Sequence, residues 1–189
     1  MRFRTSAMWL LAGASALAGC MTTPSEPGRD RSNPITAGPV AGRCYPGGCT
    51  WFDIRSFHVV RETEDGALIR VSIREGESTH ANDADAPRSS RGVRITWQPY
   101  DDNSYMFCSR KLPAMISRAD DGSFEAHRMN LIDGGVPEEV ITTQYTHVCH
   151  PGGQLNGEGA AARLGYRSPT GEREFTLRNP EDIFARLPR

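Results

Sequence analysis

The sequence predicts a mainly β fold: a small single-domain sandwich or partly open barrel of antiparallel hairpins with a short C-terminal helix. Two observations carry this. Short apolar runs alternate with a period of two and are separated by turn pairs such as Asp65-Gly66 and Asp121-Gly122. A helix-start signature is found near the end, in Asn179-Pro180-Glu181-Asp182: an N-cap, a proline at the first position, and acids at the positive end of the dipole.

Order is expected to begin at Cys44-Tyr45-Pro46-Gly47-Gly48-Cys49, two cysteines around turn residues. Trp51–Arg61 reads as a strand with Phe52, Ile54, Ser56, His58 and Val60 on its core face. Leu68–Arg74 alternates with Ile69, Val71 and Ile73 on one side. A two-residue turn at Asp65-Gly66 sets Val60 opposite Val71 and His58 opposite Ile73, so the apolar faces coincide. Glu75–Arg91 is a polar loop, and Val93, Ile95 and Trp97 alternate in a strand stopped by Pro99. Asp101-Asp102-Asn103 reads as a turn into Ser104–Ser109. Ala114–Ser117 and Phe124–Met129 form a second hairpin. Val136–Val140 is long enough for one helical turn, and Thr142–Cys149 is Thr- and Tyr-rich, which favours a strand. In that last stretch Ile141, Tyr145 and Val148 also have helical spacing. His150–Arg173 is Gly-rich, Glu174–Leu177 is a short strand, and the final helix runs to about Leu187, burying Ile183, Phe184 and Leu187.

Ahead of the domain, Arg2 and Arg4 precede an apolar run, Met8–Gly19. A helix of about a dozen residues is ~18 Å long against a ~30 Å hydrocarbon core, which fits a secretory signal and not a membrane span. Leu17-Ala18-Gly19-Cys20 resembles the lipobox of bacterial lipoproteins. The resemblance implies a diacylglyceryl group on the Cys20 thiol, cleavage before it, and acylation, palmitate for example, of the new amino terminus. Membrane attachment would then run through the Cys20 lipids, since two or more acyl chains anchor stably. Met21 stands where lipoproteins retained at the inner membrane resemble one another in having Asp, which points to the periplasmic face of the outer membrane. The expected organisation is residues 1–19 as signal peptide, 20–43 as a lipidated, disordered Pro/Gly/Ser/Thr tether, and 44–189 as a disulfide-linked β domain.

Without residues 1–19 the chain keeps 20 basic and 23 acidic residues, a net charge of −3. No basic patch in the sequence argues for nucleic acid. Nearly every basic residue is Arg, Lys111 being the single lysine. A GC-rich genome accounts for that bias; bidentate recognition is the functional alternative.

Behind a lipobox, Cys44, Cys49, Cys108 and Cys149 face an oxidising compartment, so disulfides are expected over a zinc site. Of three possible connectivities, Cys44–Cys49 and Cys108–Cys149 are favoured: a Pro-Gly-Gly turn brings the first pair together, and each cysteine of the second ends an expected strand. Chain entropy assigns about 4 kcal/mol to the longer loop and about 2 kcal/mol to the shorter. His147-Val148-Cys149-His150 invites a metal reading with His58 or His127, but oxidised Cys149 supplies no thiolate. No metal or cofactor is therefore assigned.

No nucleophile elbow or zinc-protease motif is present, so no catalytic residue is assigned. Ser109-Arg110-Lys111 is read as a solvated turn in preference to an anion site. Tyr45, Trp51, Trp97, Tyr100 and Tyr105 either line a recognition surface or fill the core. Two functional classes follow. One is a non-catalytic envelope lipoprotein binding a protein or a cell-wall component such as peptidoglycan, with an inhibitor of lysozyme or protease as a narrower form. The other is a periplasmic hydrolase with His147 or His150 as base and Asp101 or Asp133 as acid.

Overall fold

The computed structural model describes residues 38–81, 87, 89–133, 139–151, 155 and 159–188. The lipobox, Cys20 and the tether up to residue 37 lie outside the described residues, as does most of the expected turn at 136–140. The fold is mainly β, as the alternating runs predict. Its strands are β1 (Val40–Tyr45), β2 (Gly48–Thr63), β3 (Gly66–Thr79), β4 (Thr96–Trp97), β5 (Asp102–Cys108), β6 (Ala114–Arg118), β7 (Phe124–Arg128) and β8 (Glu174–Leu177). Among the described residues, two helices, α1 (Glu139–Cys149) and α2 (Ala160–Arg163), and a C-terminal 3₁₀ helix (Pro180–Arg186) accompany them. The strands form one antiparallel sheet in the order β1-β2-β3-β5-β6-β7-β8, with β4 paired to the far end of β3. β1 and β8 are its edges, so the sheet is open.

Two cores lie on opposite faces of this sheet. On the inner face, Ile69, Val71 and Ile73 of β3 and Met106 and Cys108 of β5 pack with Tyr145, Val148 and Cys149 of α1. On the outer face, Leu68, Phe107, Ala114, Ile116, Ala126 and Leu177 are covered by Ile183 of the 3₁₀ helix. Fully burying a side chain such as Leu68 or Phe107 contributes about 1.5–3 kcal/mol. The 3₁₀ helix starts where the sequence places it: the Asn179 backbone N–H donates to Asp182 Oδ2 at 3.0 Å.

The central hairpin differs from its expected register. Glu64 and Asp65 form the turn, closed by Thr63 opposite Gly66, and β2 carries bulges between Ile54 and Ser56 and between Val59 and Arg61. Each bulge adds a residue and reverses which side chains face inward. Phe52 and Ile54 are inward before the first bulge and Phe57 and Val59 after it, whereas Ser56, His58 and Val60 are exposed. Val71 therefore faces Phe57, Ile73 faces Ile54, and His58 faces Arg70.

Thr142–Cys149, expected as a strand, belongs to α1. The helical spacing of Ile141, Tyr145 and Val148 prevails because it lays one stripe on the sheet. The threonines that favour a strand are accommodated by bonding back one turn, Thr143 Oγ1 to Glu139 O at 2.7 Å and Thr146 Oγ1 to Thr142 O at 2.8 Å.

Four boundaries also move. Val40–Arg43, assigned to the tether, form most of β1. Glu75–Thr79, assigned to a loop, extend β3, since Gly76 admits the Trp97 ring: a Cβ there would lie 2.7 Å from Trp97 Cε3. Asp102 and Asn103 begin β5 instead of turning, while only Thr96 and Trp97 of the expected 93–97 strand are paired.

Candidate functional site

Both expected disulfides are formed, Cys44–Cys49 across the β1–β2 hairpin and Cys108–Cys149 between β5 and the end of α1. The second joins helix to sheet and not two strands. Further ties hold α1 in place: buried Gln144 donates to Glu75 Oε1 at 2.9 Å, and Arg43 pairs with Glu139 at 3.5 Å.

Beside the Cys108–Cys149 bridge is a buried polar cluster. Tyr145 Oη accepts from the Ser109 backbone N–H at 3.2 Å and lies 3.2 Å from Tyr166 Oη, which lies 2.7 Å from His150 Nε2. Burial pushes the Tyr166 phenol up to about 12 and Tyr145 well above its ordinary value, so both stay neutral. Ser109 is buried, its Oγ accepting from the N–H groups of Lys111 and Leu112; it shapes the turn between β5 and β6.

The residues of the hydrolase reading each engage other partners. His147 is half-buried with its ring edge-on to Phe52, and burial lowers its pKa. His150 is buried against Tyr166. Asp101 bonds to Arg74 at 2.6 Å and Asp133 accepts from Ser168. His127 lies 3.3 Å from Glu174 across β7 and β8, and His58 is exposed. Among the described residues no group of three or more His, Cys, Asp or Glu side chains gathers as a metal site would require. Of the five aromatics named above, Trp51 is buried, its Nε1 donating to Ser78 Oγ at 2.8 Å, and Trp97 and Tyr105 are partly covered; Tyr45 and Tyr100 are exposed.

The candidate site is the outer sheet face from the edge of the 3₁₀ helix outward. Alternation along β2, β3 and β5 places His58, Arg70 and Tyr105 directly abreast on it, with Arg70 paired to both neighbours. Arg61 lies opposite Leu68, and its guanidinium stacks 4.5 Å over the Phe184 ring. Arg118 is two residues beyond Ile116 on β6, hence on the same side. Arg61, Arg70 and Arg118 are all exposed. The acids that the strands bring to this face, Asp53 and Asp101, are engaged by Arg55 and Arg74. Sequence reasoning missed this row because the two β2 bulges set which side Arg61 and His58 take; the alternation of Leu68, Arg70 and Ser72 alone would have exposed Arg70.

Family models, curated proteins and solved structures were compared with this chain, and none matches.

Proposed function

We propose that the protein is a lipid-anchored cell-envelope binding module, held at Cys20 by acyl chains at the periplasmic face of the outer membrane and presenting its β domain to a protein or cell-wall component. The observation that supports this most is the exposed row of His58, Arg70 and Tyr105 on the outer sheet face, on strands cross-linked to α1 through Cys108–Cys149. The hydrolase alternative needs His147 or His150 to meet an acid in one cleft, and the partners of Asp101, Asp133 and His150 give it no support.

The test is photocrosslinking in intact envelopes. With the amino terminus acylated, amine-directed reagents have only Lys111 to react with, so a benzophenone amino acid at position 58 is the suitable probe. A discrete crosslinked product at position 58, absent for a probe at the buried position 183, is the expected result. No product at 58, together with hydrolytic turnover abolished by His147→Gln or His150→Gln, would replace this reading with the enzyme.

A further inference from the structure

We infer that the outer face takes a carboxylate-bearing polymer, through a diagonal row of Arg61, Arg70 and Arg118. This rests on the binding-module reading and names the chemistry of its partner. The register fixes the row: Arg61 is level with Leu68, Arg70 two residues further along β3, and Arg118 two further again, across β5 on β6. With strands ~4.8 Å apart and ~3.4 Å per residue, the three Cα atoms span roughly 20 Å in a nearly straight line.

Three features make this row more than a solvated charged surface. All three side chains are arginines, whose planar forks match carboxylates two bonds at a time. Among the described residues none of the three has an ion-pair partner, whereas Arg55 and Arg74 on the same face are paired. Arg61 is held by its stacking on Phe184, so less freedom is lost on binding.

Around Arg70 the face is mostly polar, with His58, Ser72 and Asn103 beside it and the half-exposed Tyr105 the aromatic among them. A line of arginines along the sheet face complements an extended chain with recurring carboxylates. In the compartment the lipobox implies, the peptide stems of peptidoglycan have that chemistry.

The experiment uses the secreted Cys20→Ser full-length protein and purified peptidoglycan sacculi. The wild-type face should co-sediment with untreated sacculi, and sacculi whose carboxyls have been amidated with carbodiimide and ethanolamine should lose it. The triple variant Arg61→Gln, Arg70→Gln, Arg118→Gln should bind about tenfold or more weakly with an unchanged thermal melt, while Arg167→Gln, placed away from the row, binds as before. Equal binding by the triple variant, or by amidated sacculi, would overturn the inference, as would binding only to phosphatidylglycerol vesicles. If sacculi are not bound but position 58 crosslinks an envelope protein, this inference falls and the binding-module reading stands. If neither occurs, both fall.

Discussion

Tyr166 Oη lies 2.7 Å from His150 Nε2, just beyond the end of a helix whose last residue, Cys149, is bonded to Cys108. The covalent bridge and the buried Tyr145–Tyr166–His150 chain thus fasten the same corner of α1 to the sheet. Removing the Tyr145 hydroxyl takes from the buried Ser109 N–H one of its two acceptors, the other being Phe107 O at 3.0 Å, and takes from Tyr166 Oη its neighbour. Tyr145→Phe is expected to destabilise by about 0.5–1.5 kcal/mol, read from denaturant melts; no change would show that the hydroxyl is dispensable.

Alkali should act on the same corner. Both phenols are raised by burial, Tyr166 to about 12. A raised phenol contributes stability that is complete below its unfolded value near 10 and is lost as pH rises through the folded one. Near-ultraviolet absorbance should show these two tyrosines ionising late, together with loss of the fold. Full reversible ionisation of all five tyrosines near pH 10 with the sheet intact would contradict their burial.

The disulfides should be unequal. Cys108→Ser or Cys149→Ser should cost about 4 kcal/mol and the double variant little more, since either change opens the bond. Cys44→Ser should cost about 2 kcal/mol, its loop being far shorter. Chelator should leave the wild-type melt unmoved; a chelator-induced loss would restore the metal reading.

His147 should confer acid sensitivity. Burial lowers its pKa, so its contribution is intact above the unfolded value near 6.5 and falls as pH drops from there toward the folded value. His147→Phe preserves an aromatic edge against Phe52 and should flatten the stability profile below the unfolded value near 6.5. An unchanged profile would assign that slope to other groups.

Gly76 tests the extension of β3. An added Cβ would meet Trp97 Cε3 at 2.7 Å and Thr96 O at 2.9 Å, so β4 must separate from β3. Gly76→Ala should cost about 1–3 kcal/mol and increase exposure of tryptophan, visible in its fluorescence. A neutral effect would mean that the strand end is loose.

The strands were legible wherever alternation met a turn pair, as in β6–β7 around Asp121-Gly122. β8 and the Asn179 helix start were equally clear, because local chemistry determines them. What escaped depends on distant partners. The bulges that turn His58 outward leave no mark in β2 itself. α1 outweighs the β preference of its threonines only by packing Tyr145 and Val148 on the sheet. β3 runs on through Glu75–Thr79 because Gly76 has Trp97 beside it. Cys44–Cys49 was readable from its short turn, whereas Cys108–Cys149 was favoured on the ground that both cysteines end strands, and Cys149 instead ends a helix.

The central claim, an oxidised domain anchored at Cys20, is tested most directly by intact mass spectrometry of protein extracted from envelopes without reduction. The account predicts a chain beginning at Cys20 that carries a diacylglyceryl group and an amide-linked acyl chain, with Cys44, Cys49, Cys108 and Cys149 all in disulfides. A mass matching an unmodified Cys20 thiol would contradict the anchor, and four free thiols in the domain would contradict the scaffold.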